Sequence, residues 1–373
     1  MVNLDGQVFG TDLKARSEAW ARDREGTFIP HWRAQQSSAF DLRANSTARE
    51  IIALDLWGKP TTVYANANLL IYSSQACNAR CAFCVEELRP ASRGVALNQQ
   101  DTVEVDDARY FTAMQTVLDA LSPLNPVVAM TGGEPSQDPR LPRIVRTLQT
   151  HGARKSTLTT NGSGLLDVRE GRPLIDWIAD SSVAHLNIGR AQWGERINAK
   201  LMRYGHSPNA QTLREIVGRA QRRGTRVRLS CLLVANGIDD VAGVLRYLDF
   251  AVGVGVDNVI FRQLVQIDPS TTQANFVTKV SDRRRVAMMP LLAERAMHAG
   301  LTFQRQVMGY YYYVELRCYR GIDVVFEGAE LAQLERTKAS MPDVIQELIF
   351  HPNARLASTW QPWEGVLGPP ALM

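Results

Sequence analysis

Residues 126–161 read "PVVAMTGGEPSQDPRLPRIVRTLQTHGARKSTLTTN". A short apolar run, 126–131, gives way to Gly132, Gly133 and Pro135, the residues of a turn that opens a helix. Across 141–152 the apolar positions recur at helical spacing, and Gly152 stands where a C-cap belongs. A second short run, 156–161, ends the stretch. Strand, helix and strand at these lengths predict a βαβ unit, whose two strands lie parallel.

The unit repeats on both sides. Further strands are expected at 68–74, 183–188, 226–234, 256–261 and 301–307. Amphipathic helices are expected at 106–121, 209–224, 240–255 and 283–300, with Gly224 and Gly300 at cap positions. Six or seven such units predict an α/β fold with a parallel sheet closed into a full or partial barrel. Residues 1–62 lack the pattern. Trp20, Trp32 and Trp57 are scattered there among charged residues, and an N-terminal extension with short helices is expected. Residues 63–308 then form the barrel, and 309–373 a C-terminal region. In that region 310–331 reads as two strands joined at Tyr319-Arg320-Gly321 and followed by a short helix.

The 373 residues are 45% hydrophobic and 21% charged, enough apolar content to bury a sizeable core. No run of 18 apolar residues occurs, and residues 1–20 lack a basic start followed by an apolar stretch. The expectation is a cytoplasmic protein with reduced thiols and no membrane partner. The net charge of +4 is small, and the basic runs 219–228 and 283–285 read as solvated helix faces. Charge therefore gives no argument for a nucleic-acid partner.

Three of five cysteines, Cys77, Cys81 and Cys84, crowd into "ACNARCAFC" directly after the first strand. An odd count with three clustered is no disulfide framework. The loop lies at the C-terminal end of its strand, the end where barrels carry active sites. Thiolates there bind an iron–sulfur cluster or zinc. A closed zinc site needs a fourth ligand, and no histidine lies between His31 and His151. Three cysteines leave one position open, which suits catalysis; zinc binding and core packing remain the alternatives.

The C-x3-C-x2-C spacing, with Phe83 in the aromatic slot before the last cysteine, resembles the radical S-adenosylmethionine (radical SAM) superfamily. So do "MTGGEPS" (130–136), "TTNGSG" (159–164) and "HLNIGRA" (185–191), each ending a successive strand. The resemblance covers roughly residues 66–307. It implies a partial (β/α)6 barrel with an N-terminal helical extension and a C-terminal strand pair closing its open side. It implies one [4Fe–4S] cluster on Cys77, Cys81 and Cys84, and S-adenosylmethionine bound at the open iron. It implies a 5′-deoxyadenosyl radical that takes a hydrogen atom from the substrate, and an electron donor such as flavodoxin or ferredoxin. Gly132 and Gly133 would let backbone approach S-adenosylmethionine, and Glu134 would accept from its amino group. Asn161, Asn187 and Ser230 would contact its ribose or carboxylate, and Arg190 its carboxylate.

Strand alternation adds the inward faces. These are Thr157, Thr159 and Asn161; His185, Asn187 and Gly189; Arg228, Ser230 and Leu232; and Asn258, Ile260 and Arg262. His185 and Arg262 are the substrate-side candidates. Arg262 needs a counter-charge, from a substrate phosphate or carboxylate or from Glu315. Cys231 shares a face with Val227, Leu229 and Leu233 and reads as core. Cys318 shares a face with Val314 and Leu316, and is either a small buried hydrophobe or a hydrogen-atom donor in catalysis. Two isolated cysteines cannot hold a second cluster. The expected substrate is a small polar metabolite (sugar, nucleoside or sugar acid), undergoing decarboxylation, epimerisation or dehydration. The alternatives are a peptide- or RNA-modifying enzyme of the same superfamily, and a non-catalytic iron–sulfur binding or sensing protein.

Overall fold

The structure, a computed structural model, describes residues 51–84, 86, 105–265, 276–294, 300–308, 312–329 and 331–369. The short helices expected before residue 51 lie outside these. In chain order the elements are β1 (Ile51–Leu56), β2 (Lys59–Tyr64), β3 (Leu69–Ser73), α1 (Asp107–Ala120), β4 (Val128–Gly132), α2 (Leu141–His151) and β5 (Ser156–Thr160). Next come β6 (Val168–Arg169), β7 (Arg172–Pro173), α3 (Leu174–Ala179), β8 (Val183–Gly189), α4 (Glu195–Met202), α5 (Ala210–Gln221), β9 (Arg226–Leu233), α6 (Val241–Val254) and β10 (Asn258–Gln263). They are followed by α7 (Phe276–Arg284), α8 (Met288–Ala293), β11 (Thr302–Met308), β12 (Tyr312–Tyr319), β13 (Ile322–Ala329) and α9 (Leu331–Ser340). The last are β14 (Val344–Ile345), β15 (Leu348–Phe350), β16 (Leu356–Ala357) and β17 (Val366–Gly368).

The main sheet has the order β11-β12-β13-β10-β9-β8-β5-β4-β3-β15-β16-β17. At its centre β3, β4, β5, β8, β9 and β10 pair in parallel and in chain order, the six-stranded partial barrel expected. Every C-terminal strand end therefore opens on one rim. The seventh parallel place, beside β10, is taken by β13 rather than by the strand at 301–307. That strand, β11, lies antiparallel to β12 at the sheet's edge. The pair β12–β13 extends the sheet beside β10, while β15 extends it beside β3. Among the described strands the two ends of this order do not meet, so the strand pair does not close the barrel.

Alternation divides the faces as chemistry requires. Leu158, Leu186, Ile188, Val227, Leu229, Cys231, Val259 and Phe261 are buried under the helices. Thr157, His185, Asn187, Arg228 and Ser230 face the other way and are half-buried. The covering helices present matching apolar stripes, such as Leu213, Ile216, Val217 and Ala220 of α5. Their starts carry side-chain caps: Asp106 accepts from Arg109 N at 2.9 Å, and Asn209 from Thr212 N at 2.9 Å. Helix α2 ends at Gly152 in the left-handed conformation (φ 76°), as expected.

Three places depart from expectation. Residues 51–64 form a β-hairpin, not a helix. Trp57 and Gly58 both take positive φ (56° and 81°), the geometry of the tightest two-residue turn, and Leu54, Leu56 and Val63 are buried. The helix expected over 283–300 is interrupted. Pro290 lacks the N–H that a continuous helix would bond back to Val286, so α7 stops at Arg284 and α8 begins at Met288. Gly300, expected as its cap, is not left-handed.

The third departure reverses the faces of β12. Tyr313, Glu315, Arg317 and Tyr319 are buried, and Val314, Leu316 and Cys318 are only half-buried. Cys318 is thus no buried core residue. The covered face is made tolerable by a closed polar network. Arg317 Nε donates to Glu315 Oε1 at 2.6 Å, and Tyr313 Oη donates to Glu315 Oε2 at 2.6 Å. Arg317 and Glu315 are both 0% exposed, so each charge depends on the other. Glu315→Ala is expected to destabilise the protein by about 3–5 kcal/mol in denaturant unfolding, because it strands a buried guanidinium. Val314→Ala, on the open face, should cost a small fraction of that.

His351, just after β15, is also fully buried, with its Nε2 3.3 Å from the Thr359 carbonyl. Burial pushes its pKa from 6.5 down to about 4, against the Thr359 carbonyl, which raises it. Below pH 6.5 the unfolded chain takes up a proton there that the folded chain refuses until about pH 4. Stability should therefore fall as pH is lowered across that window. His351→Gln should flatten this limb of a Tm-against-pH profile.

Candidate functional site

At the rim of C-terminal strand ends, five loops and strand tips surround one cavity. Cys77, Ala79, Cys81 and Phe83 line it from the loop after β3, and Thr131, Gly132, Gly133 and Glu134 from the end of β4. Thr159, Thr160 and Asn161 come from β5, and Gly189, Arg190 and Ala191 from β8. Ser230 and Leu232 of β9 and Met202 of α4 complete it. Residues far apart in sequence, the cysteine loop and the double glycine among them, thus share one chamber.

The cysteine loop is held at three points. Asp138, buried, accepts from Ser73 Oγ at 3.2 Å and Ser74 N at 3.0 Å, and its other oxygen accepts from Arg140 N at 2.9 Å. Asn78, inside the loop, accepts from Asn161 Nδ2 at 2.7 Å and donates to Ser163 Oγ and Tyr204 Oη, each at 3.0 Å. Ala82 N donates to the Leu201 carbonyl at 3.1 Å, and Cys81 and Phe83 pack beside Ala191, Leu201, Met202, Val234 and Leu264. The glycines serve the same docking. A Cβ on Gly133 would lie 1.8 Å from the Gln75 carbonyl oxygen. Gly132 has φ +114°, and a Cβ there would lie 2.7 Å from Ser73 N. The close approach they permit in this structure is between two loops of the chain, where approach to a ligand was expected.

Cys77, Cys81 and Cys84 are half-buried thiols. Burial pushes Cys77 up to about 11, and Glu134 adds to it. Burial raises Cys81 further, followed by the nearness of Cys84 and Cys77. Without a cation, the Cys77 and Cys81 sulfurs stay protonated at neutral pH; a bound metal supplies the positive charge that reverses this. Among the described residues no three His, Cys, Asp or Glu side chains already converge on one metal position. Of the three thiols, Cys77 and Cys81 line the cavity and Cys84 does not, and among the described residues no further cysteine and no histidine lines it. Three thiols with no fourth such ligand fit a [4Fe–4S] cluster with one open iron better than a closed zinc site.

Glu134 is buried and accepts from Ser136 N at 2.9 Å, Asn161 N at 2.7 Å and Thr160 Oγ1. Burial raises its pKa in spite of these donors. Its Oε2 receives only the Asn161 amide and keeps acceptor capacity for a ligand amine. Arg190 is different. Its guanidinium donates to the Pro208 and Trp193 carbonyls at 2.8 Å each, pairs with Glu195 at 3.1 Å and lies over the Phe250 ring at 4.8 Å. It braces the loop after β8 and also lines the cavity, with its Nε buried and without a hydrogen-bond partner among the described residues.

His185, Asn187, Arg262 and Cys318 do not line the cavity. Arg262 pairs with Glu327 at 2.9 Å and donates to Ser230 Oγ at 2.8 Å. Its counter-charge within the chain is therefore Glu327, where a substrate phosphate or carboxylate, or Glu315, was expected. Asn187 Nδ2 donates to Thr159 Oγ1 at 3.3 Å, while its Oδ1 is buried without a partner. His185 is held neutral: burial, then Lys155, Arg228 and Arg226, push its pKa down to about 4. Cys318 pairs with Asp323, which in turn pairs with Asn258 at the N-terminal end of β10. That is four residues, roughly 13 Å, down the strand from Arg262.

Asp138, Asn78, Tyr204 and Glu327 had escaped sequence reasoning. Asp138 and Asn78 lie inside the quoted motifs, and short polar side chains beside turns are habitual binders of nearby backbone. Nothing local marks Tyr204 or Glu327, because their partners come from distant strands and loops.

No protein-family model matches the sequence, and no curated protein is similar to it. Solved structures are similar in backbone path. Streptococcus suis SuiB bound to its precursor peptide SuiA has 13% identity and a TM-score of 0.49, over 80% of this chain and 60% of SuiB. Coproporphyrinogen III oxidase (HemN) from Escherichia coli, described as a radical SAM enzyme, has 10% identity and a TM-score of 0.37, over 81% of this chain and 73% of that one. The radical S-adenosylmethionine methyltransferase TsrM from Kitasatospora setae has 17% identity and a TM-score of 0.36, over 52% and 36%. The chain thus spans about 60% of the length of SuiB.

Gly133→Ala should push the cysteine loop off β4, since backbone rather than a flexible side chain blocks the new Cβ. Iron retained after anaerobic reconstitution is expected to fall severalfold. Gly253→Ala, whose Cβ meets nothing within 4 Å, should retain the wild-type amount.

Proposed function

We propose that this chain is a radical SAM enzyme acting on a small polar metabolite. One observation carries the reading: the C-x3-C-x2-C loop and the "TGGEP" turn, separate in sequence, wall a single cavity at the C-terminal ends of six parallel strands. Cys77, Cys81 and Cys84 would hold a [4Fe–4S] cluster. Bound there, the cluster would pass one electron to S-adenosylmethionine and release a 5′-deoxyadenosyl radical that takes hydrogen from the substrate. The chain's own residues bind and orient. Glu134, fixed by three donors, offers Oε2 to the amino group of S-adenosylmethionine. Asn161 and Ser230 stand on the cavity wall as ribose or carboxylate partners. Phe83, Ala191, Met202 and Leu232 give an apolar lining that limits water around a reactive species. The electron comes from a reduced flavodoxin or ferredoxin. Among the described residues no helix is long and apolar enough to cross a membrane.

Anaerobic reconstitution should give about four iron and four sulfide per chain. Replacing all three cysteines with Ala should abolish both. With dithionite the wild type should convert S-adenosylmethionine to methionine and 5′-deoxyadenosine. Glu134→Gln should raise the S-adenosylmethionine concentration needed for half-maximal turnover, since a charge-assisted acceptor becomes neutral. Stoichiometric zinc in place of iron, or a full cluster that never yields 5′-deoxyadenosine, overturns the reading.

A further inference from the structure

Beneath the cavity, the same face of the sheet carries three arginines on β9 and β10. Arg226 pairs with Asp323 at 2.8 Å and Arg262 with Glu327 at 2.9 Å. Arg228 stands between them. Among the described residues no carboxylate lies within ion-pair distance of it, and its one side-chain hydrogen bond runs from Nε to Asn258 Oδ1, at 2.5 Å. Burial, then the neighbouring Arg262, press its pKa down, while Glu327 and Asp323 act the other way from a distance. Three arginines thus share two carboxylates, and Arg228 is the one without an ion pair among the described residues.

Its neighbours are also incompletely satisfied. Asn187 on β8 and Asn258 on β10 are its register partners. Asn187 Oδ1 and His185 Nδ1 are buried and have no hydrogen-bond partner. Arg228 lies two residues below Ser230, a cavity-lining residue, or about 7 Å along the strand. The row itself does not line the cavity, so a molecule bound against Ser230 would have to extend that distance along the strand to reach it.

We propose that this row anchors the substrate, with Arg228 receiving a carboxylate group and Asn187 and His185 bonding adjacent hydroxyl groups. A carboxylate matches the chemistry in two respects. The row's three arginines exceed its two carboxylates by one positive charge, which one negative charge balances and a phosphate dianion would exceed. A guanidinium also presents two parallel donors to two carboxylate oxygens. His185, neutral at physiological pH, adds a hydrogen-bonding atom and no second charge. The inference rests on the radical SAM reading for the chemistry above the row, and it narrows the substrate to a carboxylate-bearing polar molecule.

The test is a titration of the cluster-loaded full chain with sodium acetate, at ionic strength held constant with sodium chloride. The signals followed are the side-chain amides of Asn187 and Asn258 and the Nε–H of Arg228, by 15N–1H NMR. A saturable shift of these signals is expected in the wild type. In Arg228→Lys and Arg228→Met the amide response should require at least about tenfold more acetate, the loss of one charge-assisted pair. The absence of a saturable response in the wild type overturns the proposal, and needs no variant to fold. So does an unchanged response in Arg228→Met, or a stronger one to inorganic phosphate than to acetate. Formation of 5′-deoxyadenosine is read separately. Acetate binding without S-adenosylmethionine cleavage removes the proposed reaction and leaves the subsite; cleavage without acetate binding removes the subsite alone.

Discussion

Two buried carboxylates hold the rim of this sheet together. Asp138 gathers the hydroxyl and amide at the end of β3, and Glu134 gathers the amides and hydroxyl around the end of β5. Both belong to one turn after β4, so that turn is the hub on which the cysteine loop and the loop after β5 are mounted. A buried carboxylate short of donors is expensive, and beyond one amide each from their own turn these have donors only when the three loops are in register. The geometry of the cavity is thus tied to the stability of the turn. The glycine pair belongs to the same constraint, because any side chain at Gly133 would break the approach to Gln75.

Much of this was legible in the sequence, for a definite reason. Strands buried on one face and lining a cavity on the other alternate in polarity, and β8 and β9 do so, while β5 has only Leu158 to mark its buried face. The glycine and cysteine motifs mark strand ends, which locate the rim. The faces of β12 were not legible. Val314, Leu316 and Cys318 look like the inner face until the Tyr313–Glu315–Arg317 network is seen to satisfy itself under the helices. Apolarity identifies the covered face only when the opposite face cannot pay for burial, and here it can. The bracing contacts of Arg190 were not legible for a related reason. Its acceptors are backbone carbonyls of Pro208 and Trp193, and carbonyls leave no residue-type signature. The break before Pro290 was readable in principle, since proline forbids the bond a continuous helix needs.

The electrostatics of the chamber differ from top to bottom. At the rim, the half-buried thiols and Glu134 are groups whose charged forms burial disfavours. Lower down, three arginines face two carboxylates, and the one histidine stays neutral. The upper level is completed by a cation and the lower by an anion. That polarity orients a ligand carrying an anionic end before any specific contact is made.

The order of strands has a consequence for how the chain is assembled during synthesis. Six parallel strands emerge first, in sequence order, yet neither flank of that sheet can be covered at that stage. β13 must arrive to pair with β10, β15 to pair with β3, and β14 to pair with β2 of the hairpin. All three come from residues 322–350, made only after β10. Until then the nascent sheet presents two bare edges with unpaired amides and carbonyls, the surfaces by which strands recruit the wrong neighbours. The pairings that remove them span long sequence separations, which slows their formation. A ribosome-bound intermediate of this chain is therefore most exposed to misassociation in the interval between completing β10 and releasing β15.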